Sequence, residues 1–451
     1  MKLNLQFLSR PLTKEVLFTL ATFLFLIPKP YHTIPALDAS WQVALETAFF
    51  KGWEFGRTVN FTGGPLSLLY APTSLSTHVF SQIAAESAVL ILAIFLIFRA
   101  MRGQATLMSV LLFGSLLVCS VVANDGIFMV SITAGAFILL RLENSRWAPI
   151  LIPIYFAVLA LMKFSFATLG ILCILTLTVG KLLNNDRQTA GKLVGSYVLS
   201  FLFIWILIGQ NLRTIPGFFI NSYYISKGYL WNMHLHDVQT IFFYLVYLLI
   251  ITSVPIFLFC LAKRREIESW LSLVIAAGTI YLSWKAGITR TGSHMGFFLQ
   301  AVVVVSFLVK PLASDRKLAA IWVSIITISF ISGFIWVYPG GAKPVVSTAW
   351  KKFTENLVFI GNPDTLNQSF TRLIPYVLLE NELPQIKQKV GDSSIDVLHF
   401  QQAILILNGM NYEPRPTVQN YPAYNHHLSN LNLTHIKNSP PKFLIVKYGV
   451  I

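Results

Sequence analysis

The sequence is short of charged residues and of cysteine. Only 12% of its 451 residues are charged, 55% are hydrophobic, and the mean hydropathy is +0.64. Because ordinary soluble domains are about 25% charged, this composition excludes an ordinary soluble protein and predicts a membrane protein. The three cysteines, Cys119, Cys173 and Cys260, all stand inside apolar runs. Their positions exclude a disulfide framework and a paired-cysteine metal site.

Acidic residues are scarce as well. The chain has 19 Asp and Glu against 34 Lys and Arg, which gives a formal charge of +15. A nucleic-acid-binding protein would gather this charge in a stripe or patch. Here the basic residues are spread singly through short connections between apolar runs. We therefore predict no nucleic-acid partner and interpret the charge as a signal of membrane topology.

Long apolar runs fill the first three quarters of the chain and predict about eleven transmembrane helices. No small-residue cleavage site follows the first run, which is interpreted as a retained helix. The fifth and sixth runs meet at Lys163 so tightly that one long tilted helix is the alternative there. The eleven runs lie near residues 14–28, 77–98, 105–122, 127–140, 148–162, 164–180, 193–209, 239–260, 268–284, 296–309 and 318–336.

The orientation follows from the basic residues in the connections. With a cytoplasmic N-terminus, the inside connections hold sixteen Lys and Arg, and the longer outside connections hold eight. The positive-inside rule requires this direction. We therefore predict a multi-pass protein of the inner (plasma) membrane. Because the predicted number of spans is odd, everything after Trp336 is expected on the periplasmic or extracellular side.

The chain changes character after the last predicted span. Residues 1–336 are expected to form a transmembrane domain, and residues 337–451 a small C-terminal α/β domain outside the membrane that caps it. The predicted strands are Leu357–Ile360, Ile395–Phe400 and Phe443–Lys447, and the helical patterns lie around 372–390, 401–409 and 424–437.

The first outside connection, residues 29–76, carries the most informative pattern. Asp38 opens a segment whose apolar residues follow the spacing of an amphipathic helix, which is expected to lie on the membrane surface. The segment Gly64-Pro65-Leu66 then returns the chain to the second span. The apolar positions of the helix are Trp41, Ala44, Leu45, Ala48 and Phe49.

This layout resembles the C-type (GT-C) membrane glycosyltransferases, which depend on polyprenyl-phosphate sugars. In that superfamily an acidic residue soon after the first span precedes a surface helix, and the loop returns through a Gly/Pro segment. Asp38, residues Trp41 to Lys51, and the Gly64-Pro65-Leu66 return match these positions. The family often has a second acidic residue beside the first. Ala39 stands there in this chain, so a divalent metal cofactor is left open.

The resemblance implies an inverting hexosyl- or pentosyltransferase of the cell envelope. Its donor would be a polyprenyl-phosphate sugar, and its acceptor a lipid or a cell-surface glycan. Asp38 is the expected general base, because desolvation at the rim of an apolar cavity raises the basicity of a carboxylate; a helix N-cap is the alternative. Asp125, in the next outside connection, is the second expected catalytic residue, and a simple Asn-Asp turn is its alternative.

A lipid-phosphate donor needs cations on the outside. Lys285, Arg290 and His294 stand with two glycines at the mouth of a span. The guanidinium group of arginine can donate parallel hydrogen bonds to two phosphate oxygens. The alternative is that these side chains only extend to the polar surface of the membrane, which suits Lys285 best. Lys163, isolated at the outer end of the fifth span, is a second phosphate-binding candidate.

Aromatic and polar residues elsewhere are candidates for contact with the acceptor or between domains. Trp41 and Tyr224 are included because aromatic rings stack on sugars, although aromatic residues are also ordinary at a membrane interface. Arg415, Gln419 and Tyr421 stand among three prolines in residues 412–424, where a rigid packing loop is the alternative.

Metal binding is not expected from the second long outside connection, residues 211–237. His234 and His236 are spaced as on one face of a strand, and no third ligand is evident.

The alternative function is a multi-pass transporter or flippase of lipid-linked glycans. Glu86 and Lys163 lie where they can line a path through the membrane. The chain lacks matching Gly/Pro-broken segments in two halves, which such transporters often have. A polymerase or ligase of lipid-linked glycans is a third interpretation. Convergence of Asp38, Asp125 and Arg290 on one outer cavity would favour the glycosyltransferase.

Overall fold

The structure is a computed structural model that describes residues 11–30, 32–73, 78–104, 106–120, 125–141, 145–232, 267–288, 295–309, 342–362, 364 and 374–446. The described chain is mostly helical. Four of its helices are long and apolar enough to cross a membrane: Val79–Ala100, Phe164–Leu183, Arg187–Leu207 and Ile267–Gly287. The chain is therefore a helical membrane protein.

The helices follow the hydropathy pattern closely. In chain order they are α1 (Pro11–Leu26), α2 (Leu37–Phe50), α3 (Val79–Ala100), α4 (Thr106–Ser120), α5 (Asp125–Arg141), α6 (Ala148–Met162), α7 (Phe164–Leu183), α8 (Arg187–Leu207), α9 (Ile215–Asn232), α10 (Ile267–Ile288), α11 (Met295–Val309) and α12 (Ala342–Gly361). All except α2, α9 and α12 coincide with predicted apolar runs. The other two predicted runs, 239–260 and 318–336, lie outside the described residues.

Helix α5 is the centre of the helical assembly. All its side chains from Gly126 to Leu140 are buried, and it packs against α3, α7, α10 and α11. Helix α8 lies at the periphery, where Leu199, Phe203 and Leu207 are 68%, 64% and 70% exposed. Large apolar side chains exposed along one helix face are expected where that face meets lipid.

The chain breaks between α6 and α7 at Lys163. This residue is extended (φ −153°, ψ 139°), so two helices meet here and not one long tilted helix. The loop that returns from α2 pairs with the end of α6. Gly64 donates its N–H to the Met162 carbonyl, and Leu66 donates to the Leu161 carbonyl, both at 3.0 Å. These bonds satisfy carbonyls that the end of a helix leaves without partners.

The predicted strand at Leu357–Ile360 is wrong, because these residues lie in α12. Their short apolar run is the end of a longer stripe with helical spacing. Helix α12 packs on α1. The rings of Phe353 and Phe25 stack at 4.7 Å, and Asn356 Nδ2 donates to the Leu24 carbonyl at 2.9 Å.

A small parallel sheet lies in residues 374–446. Its strands β1 (Ile395–Val397) and β2 (Phe443–Ile445) pair with Ile395 opposite Phe443. Parallel strands need a crossover connection between them, which here contains two helices. Residues 374–380 are helical, and the helices that follow them are α13 (Pro384–Val390), α14 (Ala403–Leu407) and α15 (His426–Asn438).

Candidate functional site

Helix α2 carries Asp38 in its first turn. The N-cap of α2 is Ala36, and no side chain caps the helix, so the capping alternative for Asp38 is wrong. Asp38 is exposed, and its Oδ1 accepts a hydrogen bond from Trp41 Nε1 at 3.1 Å. One carboxylate is thus held by a neighbouring side chain while it stays open to solvent.

The surroundings of α2 differ from the expected position on the membrane surface. Ala44, Leu45 and Ala48 of the predicted apolar stripe are buried, but Gln42 and Glu46 outside the stripe are buried as well. The helix packs against a short 3₁₀ turn at Ser67–Leu69 and against α14. Protein therefore encloses α2 on more than its apolar face, because α14 packs against it and Glu46 is hydrogen-bonded by Thr73 and by Gln82 of α3.

Aromatic rings lead from Asp38 toward the membrane helices. The indole of Trp41 stacks on Phe61 at 5.4 Å between ring centroids and lies 6.3 Å from the ring of Tyr70. Lys163 Nζ lies 5.3 Å from the centroid of Tyr70, within the distance of a cation–π contact. The rings of Trp41 and Tyr70 thus connect α2 with the break between α6 and α7.

Lys163 is paired with the second acidic candidate. Its Nζ lies 2.5 Å from Asp125 Oδ2, and the two side chains are 26% and 22% exposed. Asp125 stands in the first turn of α5, where a negative charge is also favoured by the helix dipole. Lys163 stands alone among apolar residues in the sequence, but it has an acidic partner in the structure.

We call Asp38, Trp41, Tyr70, Lys163 and Asp125 the acidic-aromatic row. Burial raises the pKa of Tyr70; the charge of Lys163 opposes this effect, and the charges of Asp125 and Asp38 add to it. Both carboxylates therefore act on the same phenol. Contacts through Trp41, Tyr70 and Lys163 link Asp38 to Asp125. Arg290, the third residue expected to converge with them, lies outside the described residues.

Two glycines allow the return segment to approach the helices. A Cβ at Gly64 would lie 2.2 Å from the carbonyl oxygen of Leu161, which is backbone and cannot swing away. A Cβ at Gly63 would lie 2.7 Å from Leu45 Cδ1, a side-chain atom. The Gly64-Pro65-Leu66 return thus has a steric role in placing Tyr70 near Lys163.

A buried polar network that the sequence reasoning missed connects α2 with α3. Glu46, only 5% exposed, accepts hydrogen bonds from Gln82 Nε2 at 3.0 Å and from the Thr73 N–H at 3.1 Å. One turn along α3, Glu86 is also buried, and its Oε2 has no hydrogen-bond partner among the described residues.

Sequence signals for these missed residues were weak. Glu46 lies outside the apolar stripe of α2, at a position where a charged side chain is usually solvated. Tyr70 lies at the end of a turn, in a segment whose apolar residues show neither helical nor strand spacing. Their roles depend on contacts with distant parts of the chain, which hydropathy does not report.

The cation cluster expected to bind phosphate is described only in part. Lys285, at the end of α10, donates to Ser226 Oγ of α9 at 3.0 Å. Arg290 and His294 lie outside the described residues, as do His234 and His236. The structure thus places Lys285 against α9, which lies in the second long connection (residues 211–237).

Arg415 is used inside the C-terminal part of the chain. Its side chain is 1% exposed, and Nη1 donates to Asp396 Oδ2 at 2.8 Å and to the Val397 carbonyl at 2.9 Å. Burial raises the pKa of Asp396, and the charge of Arg415 opposes this effect. Tyr421, from the same loop, is half-buried.

Gln419 and Tyr224 hold the C-terminal part against the rest of the chain. Gln419 Nε2 donates to the carbonyls of Leu37 and Phe400, both at 2.9 Å, and so fastens the start of α2 beside Asp38. Tyr224 of α9 stacks on His427 of α15 at 4.3 Å. These contacts join both long connections of the membrane part to the C-terminal residues.

No group of three or more His, Cys, Asp or Glu side chains in the described part of the chain is placed to hold a metal ion. Comparisons with protein-family models, curated proteins and solved structures find no match for this chain. Functional assignment therefore rests on the acidic-aromatic row and its surroundings.

Proposed function

We propose that this chain is a membrane glycosyltransferase that moves a sugar from a polyprenyl-phosphate carrier to a lipid or a cell-surface glycan. The observation that carries the proposal is the acidic-aromatic row, in which an accessible carboxylate and an ion-paired lysine lie in one contiguous arrangement. Transfer of a sugar to a hydroxyl needs a base for the incoming group and charge stabilisation for the departing phosphate.

In the proposed reaction, Asp38 accepts the proton of the acceptor hydroxyl as that oxygen bonds to C1 of the sugar. The bond between C1 and the phosphate oxygen breaks, its electron pair leaves with the polyprenyl phosphate, and the anomeric configuration inverts. Lys163 stabilises the departing phosphate. Because Asp125 contacts Lys163 directly, we assign it to holding the ammonium in place.

The proposed topology has eleven spans, a cytoplasmic N-terminus and the row on the non-cytoplasmic face. Three separate connections supply the row: the loop between α1 and α3, the start of α5, and the break between α6 and α7. The charge count assigns all three to the same side of the membrane. Their meeting at one end of the helices supports this topology.

The competing function, transport of a lipid-linked glycan, is favoured by Glu86. A buried carboxyl in the interior of a membrane helix is costly and is usually retained for function. Transport predicts a row of ionisable groups that continues from Glu86 toward the opposite end of the helices.

Proteoliposomes containing the purified chain test the proposal. Polyprenyl-phosphate donors carrying radiolabelled hexoses or pentoses are supplied with lipid and glycan acceptors. Labelled product that is formed by the native chain and lost in Asp38→Asn supports the proposal. Movement of an intact lipid-linked glycan across the bilayer, with no transfer from any donor, overturns it in favour of the transporter.

A further inference from the structure

A cleft of about 730 Å³ opens between α15 and α9. None of the five residues of the acidic-aromatic row lines this cleft, so it is a separate feature of the structure. Its volume lies within the usual range of small-molecule pockets, roughly 300 to 1,000 Å³. Six of its lining residues are Tyr224, His427, Asn430, Thr434, His435 and Asn438.

One face of α15 forms a wall of the cleft. Asn430, Thr434 and Asn438 recur every four residues, which places them along the same side of the helix. Asn430 hydrogen-bonds the ring of His426 through Nδ2. Thr434 and Asn438 are exposed.

The polar groups of the lining include no Lys, Arg, Asp or Glu among the described residues. Amide and hydroxyl groups both donate and accept hydrogen bonds, so they suit a neutral ligand with many hydroxyl groups. The imidazole rings of His426, His427 and His435 also belong to the lining.

The aromatic side of the cleft is fixed in position. Tyr224 stacks on His427 at 4.3 Å, and His427 Nε2 shares a hydrogen bond with Asn221 Oδ1 at 2.8 Å. Asn425 Nδ2 donates to the Tyr224 carbonyl at 3.3 Å. An ordered aromatic surface beside convergent polar groups is the usual composition of a specific ligand site, and it complements the mixed apolar and hydroxyl-bearing faces of a sugar ring.

We propose that this cleft binds a neutral oligosaccharide and presents it as the acceptor. The assignment as acceptor rests on the proposed glycosyltransferase function, whereas saccharide binding itself does not. The cleft lies where the C-terminal residues meet the second long connection, so an extended glycan held by α15 is in contact with both parts of the protein.

Binding is measured on the full-length chain in lipid nanodiscs by saturation-transfer NMR. The probes are cellobiose, chitobiose and maltotriose, with a glucuronate-containing disaccharide and a neutral hexapeptide for comparison. The test variant combines Thr434→Val with Asn438→Leu, because both side chains are exposed and their replacement leaves the packing intact. Lys437→Gln, on the same helix and outside the cleft lining, is the matched control.

We expect at least one neutral saccharide to bind, and the double variant to weaken its binding about tenfold through two lost hydrogen bonds. Lys437→Gln should bind like the native chain. Equal binding by the native chain and the double variant overturns the inference, as does binding of no neutral saccharide or a preference for the acidic disaccharide or the peptide.

The two proposals fail in distinguishable ways. Sugar transfer that depends on Asp38 but proceeds with an unchanged KM for the acceptor in the double variant overturns only the role of the cleft. Saccharide binding that depends on Thr434 and Asn438, without transfer from any donor, overturns the glycosyltransferase and retains the saccharide site.

Discussion

Lys163 Nζ lies 2.5 Å from Asp125 Oδ2, and this ion pair joins the break between α6 and α7 to the first turn of α5. About three quarters of each side chain is covered. A partly desolvated charge beside apolar helices is costly without a partner. The ion pair therefore lowers the cost of keeping both charges partly buried. It lies at the end of the helical assembly where α2 also lies.

The pair should behave as a unit when it is mutated. Asp125→Asn leaves Lys163 without its counter-charge and should cost about 1 to 3 kcal/mol of stability, together with most of the transfer activity. Adding Lys163→Met should restore much of the stability but none of the activity. A double-mutant cycle on thermal unfolding in detergent, with transfer assays in parallel, measures both effects. Native transfer rates in Lys163→Met alone would exclude Lys163 from the reaction.

Asp38→Asn should separate chemistry from structure. The amide oxygen of the introduced asparagine still accepts the hydrogen bond from Trp41, so stability should change little. Loss of the general base should lower the rate of transfer by about 10² to 10⁴. Glu54→Gln, which alters another acid of the same connection, paired with Arg57, is the control and should stay near the native rate. A transfer rate in Asp38→Asn within a few fold of the native rate would refute the assignment of Asp38 as the general base.

Gly64→Ala should damage both stability and the site. The added Cβ meets the Leu161 carbonyl at 2.2 Å, so the return segment must move away from α6 and displace Tyr70. Overpacking of this kind costs about 1 to 3 kcal/mol. Gly114→Ala in α4 is the matched control, because a Cβ there meets nothing within 4 Å. Equal unfolding temperatures and activities for the two variants would contradict the proposed role of the close approach.

Acid should weaken the start of α8. Asp186 caps this helix, and its hydrogen bonds with Thr189 hold its pKa below the usual value of 3.8. The contribution of this ionised cap is fully present above about pH 4 and is lost as the pH falls through the lowered folded-state pKa. Asp186→Asn retains a cap that does not titrate. The native chain should lose thermal stability relative to this variant as the pH falls below about 4. If the thermal stabilities of the two proteins depend on pH in the same way, Asp186 does not act as an ionised cap.

Hydropathy predicted the helices well because each one buries or exposes a continuous apolar surface. The break at Lys163 was visible as a polar interruption between two apolar runs. The same reasoning mistook Leu357–Ile360 for a strand, because four apolar residues in a row fit either structure until the rest of the α12 stripe is considered.

The candidate site was less accessible to sequence reasoning because its contacts are long-range. Asp38 and Asp125 were identified individually, but the pairing of Asp125 with Lys163 joins two connections that hydropathy treats separately. The loop around Arg415 had the composition of a ligand-binding segment. In the structure, however, Arg415 is buried in a salt bridge with Asp396. Only the fold distinguishes such an internal pair from an open cation.

The two hydrogen bonds of Gln419 have a consequence for biosynthesis. One of them fastens the start of α2 at Leu37 to a residue that is made 382 positions later in the chain. On the proposed topology, Gln419 must cross the membrane before it can reach Leu37. On that topology, a nascent chain carries Asp38 on a helix that stays unfastened until Gln419 has been exported.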